Sequence, residues 1–114
     1  MQYEELEQKT IQWAKDRNIF ENSNAIKQIS KTQEELDETL DALKRLSLHN
    51  EQNHQIIRSE IMNEVADGIG DMLVTIILLA ESVGLKSMNC LEIAYNEIKD
   101  RKGKMVDGLF VKEK

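Results

Sequence analysis

The chain has 114 residues, no proline, five glycines and a formal charge of −6. That length allows one domain, residues 1–114, and a composition rich in Glu, Lys, Leu and Ile calls for an all-α fold of long helices with short polar connections. The acidic balance argues against a nucleic-acid polymer as partner, which would need a basic face to displace counterions from phosphates.

The charge is uneven. Residues 1–98 hold 9 Lys and Arg against 18 Asp and Glu, whereas residues 99–114 hold 6 against 3. The single cysteine, Cys90, has no partner for an internal disulfide and suits a reducing, cytoplasmic compartment; it reads as a small buried apolar residue. The N-terminal MQYEELEQK lacks an apolar signal core, and the most apolar run, residues 72–80, falls short of the roughly 20 residues of a membrane span. No membrane partner is expected.

In chain order, a first helix is predicted over residues 2–17, with Leu6, Ile11, Trp13 and Ala14 as apolar contacts. It stops in the turn-prone stretch 18–24, where Ser23 or Asn24 can cap the next helix. A second helix runs to about Leu48, with Ile29, Leu36, Leu40 and Leu43 in a narrow stripe, and the polar segment 49–53 ends it. The third and longest helix spans 55–83, with Ile57, Ile61, Val65, Met72, Ile76, Leu79 and Val83 along one face, and Gly84 is placed to terminate it. A fourth helix covers 87–102, carrying Leu91, Ala94, Tyr95 and Ile98, before Gly103. The remaining KMVDGLFVKEK reads as an extended tail whose Val106, Leu109, Phe110 and Val111 can pack. A helical domain this small leaves apolar surface hard to cover alone, so a homo-oligomer, dimer or tetramer, is expected.

The chemistry lies in the carboxylates. On the second helix Glu35 borders the apolar stripe and Glu38 lies further round the same side, while Glu34 points away. On the third, Glu60, Glu64, Asp67 and Asp71 follow spacings of four, three and four and share an arc of about 60°. The next members of that arc are Val74 and Leu78, which predicts an arc buried or in an interface along its length. Two carboxylates about 5 Å apart repel by roughly 3 kcal/mol at an effective dielectric of about 20, so gathered acids need countercharge. The third helix has no lysine, and its arginine, Arg58, sits near its start. Hard oxygen ligands without cysteine or histidine in the motifs suit Mg²⁺, with Mn²⁺ as a substitute, rather than zinc. His49 and His54 read as loop or surface residues. Gly68 projects between the apolar and acidic arcs, where a facing helix or a ligand can approach closely. Acids at i and i+3 are common on solvated helices; two such pairs beside apolar stripes on consecutive helices are more demanding.

This order of motifs resembles the MazG-like branch of the all-α nucleoside triphosphate pyrophosphohydrolase superfamily, which carries ExxE on one helix and ExxD on the next. Here the first element is Glu35-Leu36-Asp37-Glu38, the spacer is 25 residues, and the second is Glu64-Val65-Ala66-Asp67. Similarity extends to IQWAKDRNI, to Gln28 and Lys31, to GDMLV and to NEIKDRKGKMVDGLFVKE, as in short phage or bacterial members. One departure is that the family's Gly-Asp would align with Gly70-Asp71; Glu64 and Asp67 keep the three-residue spacing, with Asp71 as an additional ligand. The resemblance implies a four-helix bundle completed by oligomerisation. It also implies Mg²⁺ held by Glu35, Glu38, Glu64 and Asp67, and hydrolysis of a nucleoside triphosphate to monophosphate and pyrophosphate, as in nucleotide-pool housecleaning. By the same resemblance Asn96, Lys99 and Arg101 face the phosphates, with Lys31 or Lys104 assisting. Trp13 either stacks on a base or packs in the core. Two other readings stand beside it: a non-catalytic helical partner-binding or regulatory protein that retains the fold, and a di-iron carboxylate bundle, for which the expected Glu-x-x-His pair is missing from both motifs.

Overall fold

The computed structural model describes residues 1–49 and 55–113, which are mostly helical. The elements are α1 (Tyr3–Asp16), α2 (Ile19–Asn22), α3 (Ala25–Ser47), α4 (Gln55–Ser82), α5 (Ser87–Ile98), β1 (Gly103–Val106) and β2 (Leu109–Lys112).

Helix α1 has Glu4 and Glu5 in its first turn and Lys15 in its last, charges that complement the helix dipole. It buries Glu7, Ile11 and Ala14; Leu6 and Trp13, expected as apolar contacts, are exposed. The stretch expected to be a plain turn contains the single turn of helix α2, entered through Asn18 in the left-handed region at φ 57°. Asn24 then caps α3, its Oδ1 accepting the backbone N–H of Lys27 at 2.9 Å.

Helices α3 and α4 form an antiparallel pair. Arg45 meets Glu64 near one end, Thr39 abuts Gly68 in the middle, and Thr32 hydrogen-bonds Thr75 at 2.6 Å toward the other. Small residues set the spacing: a Cβ on Gly68 would collide with Thr39 Oγ1 and lie 3.2 Å from Thr39 Cβ. Thr39 is itself fixed by donating to the Glu35 carbonyl at 2.7 Å. The apolar content of this seam is thin, centred on Ala42, Ile61 and Val65 with Leu46 packed alongside.

The stripe Ile29, Leu36, Leu40 and Leu43, predicted to be apolar contact, is about half exposed; α3 turns Gln28, Glu35, Thr39 and Ala42 inward instead. On α4, Ile61 and Val65 are buried as expected, while Ile57, Ile76 and Val83 are exposed. Gly84 does end α4, at φ +79°, with Leu85 N–H donating to the Ala80 carbonyl and Gly84 N–H to that of Glu81. This is the Schellman pattern. The chain then bends by 98° into α5.

Helix α5 stops at Ile98, four residues before the expected end, and buries only Ser87. Cys90, expected to be buried, is therefore exposed. The expected extended tail is an antiparallel hairpin pairing Gly103 with Lys112 and Val106 with Leu109. Its two-residue turn uses Asp107 (φ 50°) and Gly108 (φ 81°), the Asp-Gly geometry that matches strand twist. Every hairpin residue is exposed. Among the described residues no single helix is long and apolar enough to cross a membrane.

Candidate functional site

The α3–α4 seam opens on one side into a cleft of about 540 Å³ lined by Glu35, Asp37, Glu38, Thr39, Asp41, Arg45, Glu64, Asp67, Gly68 and Asp71. Helical spacing explains the gathering. Glu35 and Glu38 are one turn apart on α3, Glu64, Asp67 and Asp71 succeed one another on α4, and the antiparallel pairing sets the two rows face to face. All five carboxylates singled out as candidate metal ligands line this one cleft.

Their burial differs from expectation. Only Glu35 is buried; Glu38, Glu60, Glu64, Asp67 and Asp71 are exposed. The acidic arc of α4 is enclosed only further along, at Leu78. Glu60, the first acid of the arc, does not line the cleft.

Burial is the main cause that pushes the Glu35 carboxyl above the ordinary carboxylate range, and the neighbouring charges of Glu38 and Asp71 push the same way against the opposing pull of Lys31. Lys31 and Arg45 both reach the acids. Lys31 pairs with Glu34 at 3.1 Å and lies 3.6 Å from Glu35. Arg45, on the face of α3 that carries Glu38, pairs with Glu64 across the cleft and with Asp41 at 3.1 Å. Glu64 first and Asp41 next favour its charged form. The arginine of α4, Arg58, donates to the Leu46 and His49 carbonyls at the end of α3.

The donor set fits a hard divalent cation: it is all carboxylate oxygen, negative in excess of its countercharge, and open to water. Among the described residues no three His, Cys, Asp or Glu side chains converge on one point. A cation here would thus be held by one or two carboxylates and retain several waters, as Mg²⁺ does.

The residues expected to meet the substrate are dispersed. Lys31 stands beside Glu35, but Asn96 lies on α5, with Lys99 and Arg101 just beyond it, and Arg101 lines a separate mixed-charge surface with Glu97, Asp100, Lys102, Lys112 and Glu113. Lys104 is on β1. Trp13 is neither core nor cleft: it is partly exposed, with the Arg17 guanidinium 4.7 Å from its ring centre. His49 is half-buried at the end of α3, and His54 lies outside the described residues. Conversely, Arg45 was not singled out from the sequence, although its position seven residues after Glu38 puts both on one helical face.

No protein-family model, curated protein or solved structure matches this chain.

Proposed function

We propose that the chain is a Mg²⁺-dependent nucleoside triphosphate pyrophosphohydrolase of the MazG-like type, converting a ribo- or deoxynucleoside triphosphate and water to the monophosphate and pyrophosphate. The observation that carries this reading is the convergence of both acidic motifs, Glu35/Glu38 and Glu64/Asp67 with Asp71, on one open cleft with Arg45 at its wall. Mn²⁺ is the expected substitute ion. The fold belonging to this reading is a four-helix bundle completed by self-association, in a cytoplasmic protein that acts on nucleotide pools.

In this mechanism Glu35, Glu38, Glu64 and Asp67, with Asp71 as an additional ligand, would supply the carboxylates for Mg²⁺, one or two touching the ion directly and the others through its waters. The ion, when bound, neutralises phosphate charge and lowers the pKa of the attacking water. Glu35 or Glu38 orients that water and takes its proton as it attacks the α-phosphorus, and pyrophosphate leaves without a covalent enzyme intermediate. Arg45 is poised to exchange its Glu64 contact for a phosphate oxygen, a role its planar fork of donors suits.

The test is to incubate pure protein and Mg²⁺ with a panel of nucleoside triphosphates and quantify both products, with Glu38→Ala and Glu64→Ala as controls. Equal monophosphate and pyrophosphate, lost in both variants, supports the reading. A folded, metal-loaded protein that turns over nothing would overturn it in favour of a non-catalytic partner-binding role.

A further inference from the structure

Among the described residues, Glu35 and Glu64 are the two acids of the cleft's paired motifs that have a cationic partner, and the two pairs differ in kind. Lys31 reaches Glu35 at 3.6 Å along its own helix, and its closer contact is Glu34, which does not line the cleft. Arg45 instead crosses from α3 to α4 and itself forms part of the wall. No other ion pair among the described residues joins the two walls.

The guanidinium is held at two points. Its Nε donates to Asp41 at 3.1 Å, one turn earlier on α3, while a terminal N–H engages Glu64. The place suits a cation, because Arg45 lies in the last turn of α3, at the negative end of the helix dipole. Breaking the Glu64 contact alone therefore leaves the guanidinium moored to Asp41 at the edge of the cleft.

A divalent ion needs the same carboxylate. Guanidinium and metal are both positive and both bind carboxylate oxygens, so together on Glu64 they repel each other at short range. A triphosphate has the opposite effect, since its oxygens accept from the guanidinium and draw it off Glu64.

We infer that Arg45 is a displaceable stand-in for the metal: it competes with the bare ion for Glu64, and a bound triphosphate lifts that competition by taking the guanidinium while Asp41 keeps it in place. Metal and triphosphate then each strengthen the binding of the other, as linkage requires. The site thus favours an ion that arrives already bound to its triphosphate over the ion alone. The inference rests on the cleft being the metal and triphosphate site proposed above; the competition does not require that the triphosphate be hydrolysed.

The test is calorimetric titration of Mn²⁺ into nucleotide-free protein, with helicity checked by circular dichroism. An exposed ion pair shifts an equilibrium by about 1.5- to 5-fold, so Arg45→Ala and Arg45→Gln should each bind Mn²⁺ about threefold tighter than the native protein. Having two replacements keeps the test open should one lose helicity. Lys44→Ala removes an equal charge next to Arg45 but outside the cleft, and screening should hold it within about 1.5-fold of native. If the native protein binds Mn²⁺ and neither Arg45 variant binds it tighter, the competition is overturned and the hydrolase reading stands. A Lys44→Ala variant that gains as much as the Arg45 variants also overturns it, by reducing the effect to net charge. Tighter Mn²⁺ binding in the Arg45 variants without turnover of any nucleotide supports the competition and removes the hydrolase reading alone. Absence of Mn²⁺ binding from all four proteins overturns both.

Discussion

The carboxylate of Glu7 on α1 accepts hydrogen bonds from the hydroxyl of Ser87 and, at 3.1 Å, from the backbone N–H of Met88, so a buried acid caps a helix 80 residues away in sequence. Tyr3 extends the network, its hydroxyl 2.9 Å from Ser87 Oγ. The first N–H groups of α5 have no partner within that helix, and the capping residue, Lys86, supplies no side-chain acceptor. Glu7 fills that role and also opposes the positive end of the helix dipole.

Replacing Glu7 by alanine should therefore cost about 2–3 kcal/mol, the usual loss when a buried hydrogen bond to a charged group is broken and its donors are left unpaired. Urea unfolding checks this. Glu7→Gln, which keeps an acceptor, should lie between the two; an alanine variant within about 0.5 kcal/mol of native stability would remove the cap from the account of the fold.

Gly68 and Gly70 lie in the same helix yet should respond in opposite directions to alanine. At Gly70 a new Cβ meets nothing within 4 Å, so the gain in helix propensity, up to about 1 kcal/mol, should stabilise. At Gly68 it meets Thr39, and the overpacking cost of about 1–3 kcal/mol should outweigh that gain. Thr39→Ala combined with Gly68→Ala should recover part of the loss. Thermal melts of the four proteins decide the matter, and a stabilised Gly68→Ala variant would mean the helices part freely.

Glu35 gives the metal-free protein a pH dependence of defined sign. Its folded pKa is raised, so its contribution to stability is fully present below the ordinary carboxylate value and is lost as pH rises through the raised one. Glu35→Gln, which cannot ionise, should thus gain on the native protein across that window and keep a constant advantage above it. Mg²⁺ should close the gap by stabilising the native protein more. Melting temperatures of both proteins against pH, with and without Mg²⁺, test this; a gap that ignores both pH and metal would count against a charge-loaded cleft.

Arg45 should act on substrate binding. Arg45→Ala is expected to raise KM for the triphosphate by about 10-fold or more, with Arg45→Lys intermediate, because lysine keeps the charge but loses the forked donors. Steady-state kinetics on the best substrate of the panel give the answer, and an unchanged KM would confine Arg45 to pairing with Glu64 and Asp41.

Local rules carried much of the fold. The Asn24 cap, the Gly84 stop and the long helices on either side of residue 49 are set by chemistry within a few residues, and they stand where the sequence places them. The acids of the cleft were legible for a related reason: their faces follow from helical period alone. What depends on contacts between distant elements was not legible. Leu36 and Leu40 are the more apolar face of α3, but α4 packs against the Thr39–Ala42 face because Gly68 opposite Thr39 permits the closest approach there. The hairpin was overlooked although Asp107-Gly108 between the apolar Met105-Val106 and Leu109-Phe110-Val111 is a strong turn signal. Recognising it also explains Gly103, where any side chain would strike the Val111 carbonyl and the Phe110 ring.

The positive φ of Gly84 has a mechanical consequence. Twelve helical residues and the four residues of β1 beyond it put the far turn, at Asp107-Gly108, up to about 30 Å away. At that radius a rotation of 10° about the glycine sweeps the tip by up to about 5 Å, enough to move a lysine in or out of reach of a phosphate. Glu7, gripping Ser87 only three residues past this pivot, acts at a much shorter radius and holds the bearing of the whole lever.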